Sequence, residues 1–125
     1  MKILANDGIS QSGIEALNGE GFEVITTKVA QVQLENFINE HHIDAILVRS
    51  ATKVRQELID ACPSIKLIGR GGVGMDNIDV DYALSQGIHV INTPNASSSS
   101  VAQLVFAHLF GMSRFLHLSN REMPL

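Results

Sequence analysis

Apolar positions along this chain fall in short runs that switch between a period of two and a period of three to four, with turn residues at each switch. Residues 2–6 read as a first strand, ended by the turn Asp7-Gly8. Ser10 then caps a helix that carries Ile14 and Leu17 and is closed by Gly19 and Gly21. Residues 22–26 form a second strand, and residues 32–41 a helix with Leu34, Phe37 and Ile38 on one face. The run 44–48, DAILV, is almost wholly apolar, as in a strand covered on both faces, and such strands belong to parallel sheets. A helix over 54–61 turns Leu58 and Ile59 inward and stops at Pro63. A strand over 65–68 runs into a glycine loop, a helix over 79–86 starts on Asp79 as N-cap and closes at Gly87, and a fifth strand covers 88–92.

Strand and helix alternate five times with short links, which predicts an open, doubly wound parallel α/β sheet with right-handed crossovers. Ligands of such sheets sit beyond the carboxyl ends of the strands. Those ends are Asn6-Asp7, Thr27, the segment Arg49-Ser50-Ala51-Thr52, residues 70–74, and Asn92-Thr93-Pro94. After a hinge at 93–95 and the serines at 97–100, residues 101–116 (VAQLVFAHLFGMSRFL) form a helix apolar on nearly every side, broken only by Gln103, His108, Ser113 and Arg114. A helix of that kind requires protein around it. It is too short and too interrupted for a membrane span. Residues 117–125 show no periodicity. The chain thus divides into a domain over 1–95 and a second segment over 96–125.

Composition narrows the partners. A hydrophobic fraction of 45% with 18% charged residues is that of an ordinary soluble domain, and the net charge of −4 gives nucleic acid no basic stripe to hold. Anion binding, if present, is local. The single cysteine, Cys62, excludes an internal disulfide, fits a reducing cytoplasm, and reads as core filler. His41, His42, His89, His108 and His117 have no metal-ligand spacing, so no metal is expected.

The most informative stretch is 65–77, IKLIGRGGVGMDN, where a buried strand opens into Gly69, Gly71, Gly72 and Gly74. With no Cβ in the way, several main-chain N–H groups can face one anion. Gly69, Gly71 and Gly74 also satisfy a G-x-G-x-x-G dinucleotide fingerprint, but the next strand ends in Asn-Thr-Pro with no acid for a ribose, and the following helix starts too late to meet a pyrophosphate. A purely structural glycine turn remains open. Arg49-Ser50-Ala51-Thr52 offers a guanidinium, two hydroxyls and a small residue to a carboxylate or phosphate, or else Ser50 or Thr52 merely caps the third helix. Asp76 and Asn77 either brace the glycine loop or touch a ligand. No general base can be nominated.

The segments VRSATKV (48–54), LIGRGGVGMDNID (67–79), GIHVINTPN (87–95) and SVAQLV (100–105) resemble the amino-terminal part of the D-isomer-specific 2-hydroxyacid dehydrogenases. That resemblance implies a flavodoxin-like substrate-binding domain, followed by the first long helix of a Rossmann-type nucleotide-binding domain. It implies hydride transfer between NAD and a 2-hydroxy acid, here one carrying phosphate. It assigns Gly72 and Val73 as main-chain donors to the substrate carboxylate and places Val73 at the cofactor's edge. Arg49, Ser50, Ala51, Thr52, Arg70 and Gly71 would line the substrate side, Asn77 would brace the loop, and the helix over 101–116 would join two subunits. The family's nucleotide fingerprint, catalytic Arg, supporting Glu and acid/base His have no counterpart here, and Gln103 stands where relatives often have Glu. The chain is therefore expected to be a piece of the enzyme without turnover of its own. Two other classes are weighed. A signalling receiver needs clustered acids after strand one and an Asp after strand three, where this chain has Asp7 alone and Ser50; a free-standing binding or oligomerisation module would use the apolar helix as its interface.

Overall fold

The computed structural model describes residues 1–123 and divides into two compact units, Met1–Pro94 and Asn95–Leu125. In the first, β1 (Lys2–Ala5), β2 (Glu23–Ile25), β3 (Ala45–Val48), β4 (Leu67–Arg70) and β5 (His89–Asn92) form one parallel sheet in the order β2-β1-β3-β4-β5. Helices α1 (Gln11–Gly19), α2 (Leu34–His41), α3 (Gln56–Ala61) and α4 (Val80–Ser85) make the crossovers. This is the doubly wound parallel sheet that the alternation of periods predicts, in the flavodoxin-like order that the resemblance implies.

Register decides which residues share a face. Leu4, Ile46, Ile68 and Val90 lie abreast across four strands, and they belong to one core cluster with Leu34 and Ile38 of α2, Leu58 and Ile59 of α3, and Ala83 of α4. Cys62 is fully buried in that cluster, and burial, with Glu35 nearby, pushes its thiol up to about 11, so it packs as an inert apolar group. The adjacent row, Ala5, Leu47, Gly69 and Ile91, points the other way. Its cover thins towards the sheet edge: Ala5 is fully buried, whereas Ile91 is 53% exposed.

Several boundaries differ from those read in the sequence. The helix expected over 32–41 opens with a 3-10 turn at Gln31–Gln33, and α3 begins two residues late because Val54 is held in an isolated parallel bridge to Ile78. β4 starts at Leu67, leaving Ile65 buried in the turn before it. Ser10 caps α1 as expected, its Oγ accepting the N–H of Gly13. Asp79 occupies the N-cap position of α4 but does not cap it. Its carboxylate instead accepts the N–H of Gln56, the first residue of α3, and the guanidinium of Arg55.

In the second unit, α5 (Ser98–Ser113) ends three residues earlier than expected, where Phe115 adopts a left-handed backbone with φ of 52°. A further helix, α6 (Leu116–Glu122), occupies most of the tail read as aperiodic; the end of that tail, residues 124–125, lies outside the described residues. No single described helix is long and apolar enough to cross a membrane, and α5 and α6 meet at a bend of 56°.

Close packing at Gly69 gives a test of the register. A Cβ there would lie 2.6 Å from Leu47 Cδ2. Gly69→Ala is expected to cost about 1–3 kcal/mol in urea denaturation, as overpacked sites do, and to cost less when Leu47→Ala is present. Strictly additive losses would contradict the contact.

Candidate functional site

The carboxyl ends of β1, β3 and β4 are joined by a web of side-chain to main-chain bonds, and the web begins with a buried polar residue. Asn6 is 3% exposed. Its Oδ1 accepts the N–H of Val29 at 2.8 Å, and its Nδ2 donates to Val29 O at 3.1 Å and to Thr52 Oγ1 at 2.8 Å. Burying an amide without partners would cost a few kcal/mol, so full pairing is what makes Asn tolerable at this depth. Beside it, Asp7 Oδ2 accepts the N–H groups of Arg49 at 2.7 Å and Thr52 at 3.0 Å, and its Oδ1 accepts the Thr52 hydroxyl at 2.7 Å. From the far side, Asn77 Nδ2 donates to the carbonyls of Arg49 at 2.8 Å and Thr52 at 2.7 Å.

The residues expected to bind substrate therefore separate into two groups. Thr52 and Asn77 are 4% and 6% exposed and serve the framework; Thr52 spends its only hydroxyl hydrogen on Asp7 rather than offering it to a ligand, and neither it nor Ser50 makes a side-chain cap on α3. Asn77 does brace a loop, but the one it holds is 49–52, not the glycine loop. Arg49, Ser50, Ala51, Arg70 and Gly71 line open space. One cavity of about 360 Å³ is bounded by Arg49, Arg70 and Gly71 with Gly8, Ser10 and Thr93, and a second of about 380 Å³ by Arg49, Ser50 and Ala51 with Asp7, Thr26 and Lys28. Arg49 stands between them.

Within the glycine loop the main-chain donors are divided. The N–H of Gly71 bonds Val48 O at 2.9 Å and that of Gly72 bonds Arg70 O at 3.0 Å, so Gly72 does not present the free donor that the resemblance implied. The N–H of Val73 has no acceptor among the described residues, and Val73 is 52% exposed. The loop is held from β5, where Asn92 Nδ2 donates to Val73 O at 2.7 Å and Thr93 N–H to Gly72 O at 3.1 Å. A Cβ at position 72 would lie 2.6 Å from Arg70 Nη1, so a side chain there would displace the guanidinium from its present position.

Neither Arg49 nor Arg70 gives its guanidinium to a carboxylate or carbonyl among the described residues, and Arg70 Nε is buried without a partner. Arg55 shows the contrast, since its Nη1 donates to Asp79 and its Nη2 to the carbonyl of Asp76. Two unspent guanidinium forks flanking one loop can hold an anion in bidentate fashion. Sequence reading missed Asn6, Asp7 and Lys28. The available signal was Asn-Asp directly after a buried strand, a polar pair where the chain had no solvent-side reason for one.

Residues 3–119 match the family described as D-isomer specific 2-hydroxyacid dehydrogenase, catalytic domain. The chain belongs to this family. A D-3-phosphoglycerate dehydrogenase of Bacillus subtilis is 39% identical over 120 residues, which are 95% of this chain and 22% of that protein. A hydroxypyruvate reductase of Thermotoga maritima is 38% identical over 116 residues, 92% of this chain and 37% of that protein. Among solved structures, the NAD⁺-bound 3-phosphoglycerate dehydrogenase of Entamoeba histolytica superposes with a TM-score of 0.73 at 28% identity, covering 89% of this chain and 38% of that one. The chain thus spans about a fifth to two fifths of the length of these relatives.

Asp7 fixes how this site responds to acid. Burial pushes its carboxyl up, but the Thr52 hydroxyl, the N–H groups of Arg49 and Thr52, and the charge of Lys28 together hold it below the ordinary 3.8. The N–H of Lys2 and the ammonium of Lys66 likewise lower Asp44 at the opposite end of the sheet. A carboxylate depressed in the folded state stabilises fully above its unfolded value and loses that contribution as pH falls through the folded one. The contribution of Asp7 to stability in urea is therefore expected to be flat above pH 5 and to decline as the pH drops below about 3.8; a stability that rises on acidification through that range would contradict the bonding.

Proposed function

We propose that this chain is the substrate-binding portion of an NAD-dependent D-3-phosphoglycerate dehydrogenase, which oxidises 3-phospho-D-glycerate to 3-phosphohydroxypyruvate in serine biosynthesis. The observation that carries the reading is the pair of unspent guanidinium groups, Arg49 and Arg70, on one cavity, with the free N–H of Val73 in the loop that follows Arg70. A substrate with an acid at each end needs two such anchors, and a substrate with one does not. Lys28 and Arg49 bring two positive charges to the second cavity, which suits a phosphate. The Val73 N–H suits the carboxylate.

NAD, when bound, accepts the hydride released from the hydroxyl-bearing carbon. The residues of this chain orient that carbon, and holding both ends of the substrate fixes its approach to the nicotinamide. Val73 is the residue here that fits the cofactor's edge; the glycine loop does not hold its pyrophosphate, because a turn and Asp79 separate the last glycine from α4. No histidine lines either cavity. Hydride transfer thus needs an acid/base group and a nucleotide site from further polypeptide. A hydroxypyruvate or glycerate dehydrogenase is the second reading, favoured by the similarity to the Thermotoga maritima reductase. A receiver module finds no support in the web around Asp7, whose oxygens are already taken by the loop after β3. In the complete protein the apolar helix α5 serves as a subunit interface, and the compartment is the cytoplasm.

Titration of the labelled chain with 3-phospho-D-glycerate is expected to move the amide signals of Val73 and Ser50 saturably, and Arg70→Lys is expected to weaken that binding by about tenfold through loss of the bidentate fork. Binding of D-glycerate as tight as that of the phosphorylated acid would favour the second reading. The chain with NAD and 3-phospho-D-glycerate is expected to form no NADH. Size-exclusion chromatography is expected to show self-association through α5, where Leu104 and Phe110 are about 60% exposed; a strictly monomeric chain would count against the interface.

A further inference from the structure

An anion cleft is a poor place for a carboxylate, yet Asp7 lines the same cavity as Lys28, Arg49, Ser50 and Ala51. Simple electrostatics gives it the wrong sign. Its bonds give it a different role. All four main-chain polar groups at the two ends of the 49–52 loop are taken: Asp7 accepts both N–H groups, and Asn77 donates to both carbonyls. The N–H groups of the two residues between, Ser50 and Ala51, have no acceptor among the described residues. The direction of the side-chain bonds is also fixed. Asn6 Nδ2 carries only hydrogens, so Thr52 Oγ1 must accept from it and must give its own hydrogen to Asp7. A neutral amide at position 7 could still accept the two N–H groups through its oxygen, but its NH₂ would then meet the Thr52 hydroxyl, already supplied with a donor and left with no acceptor for its own hydrogen.

We propose that Asp7 is a positioning residue for anion binding: by clamping Arg49 and Thr52 it holds the Arg49 guanidinium and the free amides of Ser50 and Ala51 towards the substrate, so that its negative charge supports anion affinity instead of opposing it. This rests on the substrate-binding role proposed above. It adds to that role a residue that neither the family resemblance nor the motifs single out.

The two effects predict opposite signs. If Asp7 acts only as a nearby charge, Asp7→Asn tightens the binding of 3-phospho-D-glycerate a few-fold. If it positions the loop, Asp7→Asn weakens that binding by about tenfold, the loss of one charge-assisted bond. The full 125-residue chain is titrated by amide chemical shifts, with thermal unfolding to confirm that the variant is folded. Thr52→Val provides a second arm that leaves the charge of Asp7 in place: positioning predicts weaker binding that Thr52→Ser restores, and this arm decides the matter should Asp7→Asn fail to fold. Unchanged or tighter binding in Asp7→Asn, or unchanged binding in Thr52→Val, overturns the inference while leaving the substrate-binding role intact. Failure of the unsubstituted chain to bind the phosphorylated acid overturns both.

Discussion

A parallel sheet ends all its strands on one side, and every loop there must satisfy its own peptide groups without a hairpin partner. The three bonds of Asp7 to the 49–52 segment are this chain's answer, and the site depends on them. Asn6 extends the answer to the β2 side through Val29, and Asn77 closes it from the β4 side. Loops that are usually the mobile part of such a fold are here tied into one frame. Catalytic geometry tolerates little slack, so a binding surface made of loops needs this kind of bracing.

Bracing also explains why polar residues divide so sharply between those spent and those unspent. Asn6, Asp7, Thr52, Arg55 and Asp79 are taken up by the scaffold, each by two or more partners, and so is the amide NH₂ of Asn77, whose Oδ1 is buried without a partner. Arg49 and Arg70 sit among them with idle guanidinium groups. The carboxylates were available: Asp7 stands close to Arg49 but is turned to its main-chain N–H, and Asp79 is turned to Arg55.

The fold was legible because burial imposes periods on the sequence. DAILV has the look of a strand covered on both faces, and the order of strands and helices left few topologies. What was not legible follows from tertiary override. Asp79 has the spacing of an N-cap, yet it caps the neighbouring helix because Arg55 and the N–H of Gln56 offer it better partners. The end of α5 could not be read because no proline or glycine marks it; Phe115 takes a left-handed turn that its side chain gives no reason to expect. In the site, Arg49 and Arg70 announced themselves by charge at strand ends, whereas for Thr52 and Asn77 a structural and a ligand role were both open, and their bonds go to the framework around the 49–52 loop. Asp7 was passed over since a turn aspartate before glycine is the commonest of loop residues. Only the partners of its oxygens distinguish it.

The reciprocal pair between the Asn6 side chain and the Val29 backbone has a wider meaning. An amide that gives and takes one bond with a peptide group behaves as a rung of a ladder, so the sheet continues one step past the point where its main chains diverge. The floor of the cleft is therefore laid by a side chain imitating backbone. Replacing that rung would leave the N–H and carbonyl of Val29 and the Thr52 hydroxyl without that partner, so one side chain couples the β2 side of the cleft to the loop after β3.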